Sequence, residues 1–230
     1  MLVILAWLSI AVSVLCACII IIDETRHPQS MAIMNAVWPV TALYLSVIGL
    51  WWYYRAGRKM ARDAAGGHMA HMHMHGQDST PPTWPQIFLA GSHCGAGCAL
   101  ADIIVEFTIF AFGLTIAGTA LAASFAWDFA GAWTLGILFQ YYTIKPMRNL
   151  TVGQGIVAAI KADTLSIAAF QVGMYAWMAV TYFALFPAPH LTPLSPVFWL
   201  MMQVAMVFGL LTTAPMNRWL VRAGLKEKMG

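Results

Sequence analysis

Between Gly91 and Phe107 the chain reads GSHCGAGCALADIIVEF, which sets His93, Cys94, Cys98, Asp102 and Glu106 in an almost wholly apolar stretch. Cys94, Cys98, Asp102 and Glu106 are spaced by four, and each such step turns an α-helix by about 40°. All four therefore fall within an arc of about 120° and form one polar stripe on a helix. Two cysteines at i and i+4 can both reach one soft metal ion, with His93 or a methionine completing the set. The plainer alternative makes Cys94 and Cys98 small packing residues. Gly91, Gly95 and Gly97 would let another backbone come close at the entrance of this helix.

The acids carry a stronger implication. A carboxylate at bilayer depth costs at least ~2.5–3.5 kcal/mol on insertion scales, so its presence there is a functional hypothesis by default. Asp128, in ASFAWDFAGAW, falls near the middle of the following apolar segment, and AAIKADTLSIAAFQ adds Lys161 and Asp163. Asp102, Glu106, Asp128 and Asp163 thus stand against one base, Lys161. These acids must be protonated, paired with basic residues, or neutralised by a bound cation. Proton or cation handling follows from every outcome except structural pairing.

A second cluster, GGHMAHMHMHGQ, interleaves His68, His71, His73 and His75 with Met69, Met72 and Met74. Imidazole suits most first-row metals and thioether sulfur selects soft ones, so the mixture favours Cu(I) over zinc or magnesium. With Gly66, Gly67 and Gly76 around it, the tract reads as a loop that collects or passes on a metal. The alternative is a low-complexity linker with fortuitous metal affinity.

The elements that must position these residues are membrane helices. The chain has 230 residues, 60% of them hydrophobic and only 9% charged. A soluble domain carries about a quarter charged residues, so this chain cannot clothe itself for water. Its apolar runs of 20 or more residues show no strand alternation, and lipid demands internally satisfied backbone bonds. The expected fold is all-α and polytopic. Six spans can be drawn: Met1 to Ile22; about Met31 to Tyr54, with Pro39 expected to kink it; two between Cys94 and Ile144, turning at Gly113 to Thr119; one within Ile156 to Phe186; and about Val197 to Ala214. The organisation is then two N-terminal helices (1–54), a His/Met-rich cytoplasmic connector (55–90) and a four-helix membrane domain with a basic tail (91–230). The tail, APMNRWLVRAGLKEKMG, is expected on the inner surface.

Six spans place the N- and C-termini in the cytoplasm and put every Lys and Arg of the 12 at the inner side except Arg26. No Gly-rich phosphate loop, nucleophile elbow or two-His haem arrangement is visible, so no organic cofactor is implied. The absence of a basic domain argues against nucleic acid. The four cysteines form no disulfide framework.

The helix opening at His93–Cys94–x3–Cys98 with Asp102 and Glu106, together with GILFQYYTIKPM, KADTLSIAAFQVGMYAWM and PMNRWLVRAGLKEKM, resembles a bacterial membrane family catalogued as domain of unknown function 4396. The resemblance runs from about Ser92 to Met229 and implies the architecture and the importance of the stripe residues. The leading expectation is an inner-membrane protein that transports Cu(I) or delivers it to a copper chaperone or copper enzyme, and a transporter or complex subunit more than an enzyme. A redox or respiratory or photosynthetic subunit that conducts protons or binds quinone is the alternative. A structural subunit of a larger membrane complex is the third.

Overall fold

The computed structural model describes residues 1–29, 31–58, 82–148 and 150–226, with the backbone alone for 145–148. The His68 to His75 tract lies outside them. Helix α1 spans Leu2–Arg26 and α2 spans Met34–Trp52, continuing into a π-helical turn at Tyr53–Gly57. Next come α3 (Trp84–Phe112), α4 (Ala120–Arg148), α5 (Val152–Val180, with a π-helical turn at Thr181–Leu185) and α6 (Pro196–Arg222). All but α2 are long and apolar enough to cross a membrane. Their outward faces carry large apolar side chains such as Ile4, Trp7, Ile104 and Phe183. A fold presenting so much apolar surface needs hydrocarbon around it. The protein is a multi-pass helical membrane protein.

Helix starts and stops follow local chemistry. Thr83 caps α3: its backbone N–H donates to Gln86 Oε1 at 3.0 Å, and Pro85 sits in the first turn, where its missing N–H costs nothing. The helix therefore begins about two turns before the expected boundary at Gly91 and takes in the end of the presumed connector. Its other end is Gly113, at φ 61°, a left-handed stop that glycine adopts without strain. The turn to α4 occupies the expected Gly113 to Thr119.

The second apolar segment departs from expectation. Its break falls at Ser46 (φ 52°, ψ −127°), not at Pro39. The chain folds back there. A Cβ placed on Gly49 would lie 3.0 Å from the Ala42 Cα, whereas seven residues of continuous helix span about 10.5 Å. Trp38 meets Trp52 and Tyr53 edge to face, with ring centroids 6.2 and 5.7 Å apart. At the base, Arg58 Nε comes within 3.6 Å of Asp23 Oδ2, and the Tyr53 hydroxyl donates to the same oxygen at 2.8 Å. Segment 34–58 is thus a re-entrant hairpin that enters and leaves at the end where α1 finishes. Gln203 of α6 steadies its tip, donating from Nε2 to the Leu43 carbonyl at 2.8 Å and to Ser13 Oγ of α1 at 3.1 Å.

Five helices able to cross, among the described residues, change the parity. Helices α3 to α6 alternate up and down: Gly97 approaches Gly136 of α4, Phe125 of α4 stacks on Tyr175 of α5, and Trp177 of α5 stacks on Phe208 of α6. Helix α1 runs parallel to α6, with Ser9 donating to Gln203 at 2.6 Å. Met1 therefore lies at one end of the bundle with residues 113–119 and 186–195, which we call the turn end. Arg58, Trp84, Val152 and Lys226 lie at the other, the connector end. The six-span arrangement with both termini on one side is corrected: the hairpin removes one crossing. Arg26 ceases to be an exception, because the nine Lys and Arg of the described residues (Arg26, Arg55, Arg58, Lys145, Arg148, Lys161, Arg218, Arg222 and Lys226) all fall at the connector end or in its half of the bundle.

Reporter fusions at the N-terminus and after Lys226 should accordingly report opposite sides of the membrane. Activity of both on the same side would restore six crossings and refute the hairpin.

Candidate functional site

Helix α3 turns its polar stripe fully inward. Cys94 and Cys98 are 0% exposed, Asp102 1% and Glu106 6%. The close helix contacts depend on the glycines: a Cβ on Gly97 would lie 3.0 Å from the Gly136 nitrogen, and one on Gly91 3.0 Å from Leu210. Small residues are what let membrane helices approach this closely. The hairpin tip adds Tyr44, whose hydroxyl stands against Gly95.

At the connector end the stripe meets an ion pair. Lys226 Nζ lies 2.7 Å from Asp163 Oδ1, and both side chains are wholly buried. The same ammonium donates to Ser166 Oγ and Asn217 Oδ1, each at 3.1 Å. All three of its protons are used. Ser166 in turn donates to Asn217 Oδ1 at 2.7 Å, and Thr213 Oγ1 donates to the Ser166 carbonyl at 2.9 Å. Cys94 joins this network, its thiol donating to Ser166 Oγ at 3.2 Å and toward Asp163 Oδ1 at 3.5 Å. Burial works to lower the Lys226 pKa and the Asp163 carboxylate to raise it. The net shift is upward, so the ammonium stays charged.

Up to Lys226 the basic tail is therefore not a surface helix. Helix α6 runs through Pro215 to Arg222, and the chain then turns at Gly224 (φ 69°) and drives Lys226 back into the bundle. Above it Arg218 covers the Trp84 ring at 5.3 Å. Lys161, expected as the base of the site, is exposed. Two positions from Asp163, it stands about 200° away around α5, so the helix that buries the acid must expose the base.

The stripe continues through Cys98, which receives the Gln171 side-chain amide at 3.9 Å. Then comes Asp102, both of whose carboxyl oxygens are buried with no hydrogen-bond partner. Glu106 lies within hydrogen-bonding reach of Ser124 and Asp128 of α4. A hydrogen bond between two carboxyl groups requires a proton on one of them. Asp128 Oδ1 is buried and unpartnered. The three acids of α3 and α4 thus share one interior, and Asp163 stands apart with Lys226.

Glu106, Asp128 and Ser124 open on a cavity of about 250 Å³, walled by Phe110, Phe125, Met174, Tyr175, Tyr182 and Phe198 among others. Its rim includes Gly113 to Thr115 and Leu191 to Pro193. The mouth is at the turn end. The acids therefore open away from Lys161 and Asp163.

The expected metal donors among the described residues, His93, Cys94 and Cys98, are not brought into one group. His93 is buried with neither ring nitrogen bonded, and one residue from Cys94 it points about 100° away around the helix. Among the described residues no three His, Cys, Asp or Glu side chains are placed to hold a metal ion.

Sequence reasoning missed Lys226, Ser166, Thr213, Asn217, Gln171 and Tyr44. Lys226 carried no local signal, being one of four basic residues in the tail. Asn217 and Thr213 did carry one: uncharged polar groups on an apolar helix four apart, and so on one face.

A family model described as domain of unknown function (DUF4396) matches residues 83–226, from the cap of α3 to the buried lysine. No curated protein and no solved structure matches the chain.

Removing the Lys226 charge alone should be severe. Lys226→Met leaves Asp163 buried without its cation and should destabilise the protein by about 3–5 kcal/mol, while Lys226→Met with Asp163→Asn should recover most of it. Thermal unfolding of the purified proteins measures both. The raised Lys226 pKa fixes the sign at alkaline pH: the pair's contribution is complete below the ordinary lysine pKa and is lost as pH rises through the higher folded value.

Proposed function

The chain belongs to the DUF4396 family, and from the polar line buried in that segment we propose that it moves protons or a small cation across a bacterial inner membrane. The observation that carries this reading is Asp102, buried at bilayer depth with both oxygens unbonded. A carboxyl group so placed needs a proton, a cation or water to satisfy it. It sits between the Glu106–Asp128 pair, which opens to a cavity, and the Cys94–Asp163–Lys226 network at the opposite end. Polar groups therefore run along α3 from one end of the bundle toward the other. A subunit of purely structural purpose gives no reason for an unpaired interior acid.

Basic residues collect on the cytoplasmic side of inner-membrane proteins. This assigns the connector end to the cytoplasm, and the cavity and N-terminus to the outer side. Ions would then enter the cavity from outside, reach Glu106 and Asp128, pass Asp102 and meet the Lys226 network last. A fixed ammonium there repels other cations, so passage requires Lys226 to shift or the charge to cross as a proton relayed among its oxygen partners.

Cu(I) as cargo now rests on the His68 to His75 tract. The Cys94 thiol is engaged with Asp163 and Ser166, and Cys98 with Gln171. Carboxyl groups are poor donors for so soft an ion.

Proteoliposomes with an internal pH dye and an imposed potential test the proposal. Wild type should pass protons, or exchange them for Na⁺ or K⁺, well above empty vesicles. Glu106→Gln should lower the rate by about ten- to a hundred-fold, the equivalent of one charge-assisted hydrogen bond of ~1.5–3 kcal/mol, with little change in thermal unfolding. Wild-type flux equal to that of empty vesicles for all three ions would overturn the reading.

A further inference from the structure

The cavity at the turn end has room for more than a bare inorganic ion. Its volume is about 250 Å³, and a dry cavity of ~150 Å³ already accepts benzene. There is room for an aromatic ring and a short arm. Its wall is mostly apolar and aromatic, with Phe125 and Tyr175 stacked at 4.1 Å between centroids and 13° between planes. The Tyr175 hydroxyl is committed to the Phe125 carbonyl at 2.6 Å, which fixes that wall. The polar groups gather at the inner end: Glu106, Asp128 and Ser124. Asp128 is 2% exposed, and its Oδ1 has no partner.

A hard divalent cation stripped of its water wants six or more oxygens at short range, and two carboxyl groups with one hydroxyl give at most five, with the rest of the wall mostly apolar. An anion is excluded by the acids. A neutral apolar molecule would leave Asp128 Oδ1 unsatisfied. An organic ammonium meets every requirement: its N–H groups donate to the carboxylates, and its apolar body lies against aromatic faces, which attract cations.

We propose that this cavity binds a small organic ammonium ion, an aryl- or alkylamine, with its nitrogen against Glu106 and Asp128 and its apolar part against Phe125, Tyr175 and Met174. The proposal rests on the proton and cation reading and names the substrate class for the same carboxyl pair. Binding displaces the proton shared by Glu106 and Asp128, so one positive charge enters and one leaves. The other titratable groups around the pair are Asp102 and Cys98 on α3, and Tyr175 and Tyr182 from α5 and its π-helical turn. Helix α6 presents Phe198 and Met202 there, which do not titrate.

The experiment is calorimetry on the purified full chain with 2-phenylethylammonium, in two buffers of different ionisation enthalpy, beside its neutral analogue 2-phenylethanol. The ammonium should bind saturably, release about one proton, and bind at least about ten-fold more tightly than the alcohol, the margin expected of a charge-assisted contact. Glu106→Gln should lower affinity and abolish proton release. Met174→Ala should weaken binding without altering the proton count. Absence of saturable binding to the wild type, equal affinity for the alcohol, or unchanged binding to Glu106→Gln would each overturn the proposal. The liposome assay separates the two readings: proton or cation flux without amine binding sinks this inference alone, and amine binding without flux sinks transport and leaves the site.

Discussion

The unaffordability of a bare carboxylate in hydrocarbon governs this structure. Three acids on α3 and α4 cannot meet lipid, so α5, α6 and the re-entrant hairpin close around the stripe face of α3. The packing needed for this is tight, and glycines supply it. Gly97 against Gly136 brings α3 and α4 together at the level of the thiols, and a Cβ on Gly209 would strike the Phe170 ring where α5 meets α6. Helix α1 is outside this enclosure, packing on the hairpin and α6 with most of its surface facing lipid.

The two ends of the stripe are neutralised differently. At the connector end, a lysine from beyond α6 supplies a full positive charge, and its three protons find three acceptors. A buried ammonium with all three protons bonded holds one geometry, and removal of either partner of the pair strands the other. At the turn end no Lys or Arg lies among the described residues. The acids there have only each other, Ser124 and the cavity. Closure at one end and access at the other gives the molecule a direction, which an ordinary structural ion pair does not.

The hairpin serves both ends of this design. Its tip carries Tyr44 to the centre of the bundle beside Gly95, and its base is tied to α1 through Asp23, Tyr53 and Arg58. A re-entrant segment is tolerated in a membrane only where protein buries it. Here Gln203 donates to the Leu43 carbonyl at its tip and is itself held by Ser9 and Ser13 of α1.

The sequence by itself determined what local periodicity and composition can determine. Apolar runs of sufficient length gave helices in a membrane, and four-residue spacing put Cys94, Cys98, Asp102 and Glu106 on one face. Gly113 marked a turn, because only its left-handed φ lets α3 stop there cleanly. These are properties of neighbours along the chain. The tertiary structure decided whatever depended on contacts across it. Nothing near Ser46 announced that an apolar segment of ordinary length would double back, since that depends on Trp38 finding Trp52, Tyr53 and Gly57. Lys161 was the one base set against the four acids, and helical rotation turned it away from Asp163. Lys226, 63 residues away, took that place because the chain turns after α6 and inserts it. The cavity likewise exists only where α3, α4 and α5 diverge toward the turn end, a shape that no single helix encodes.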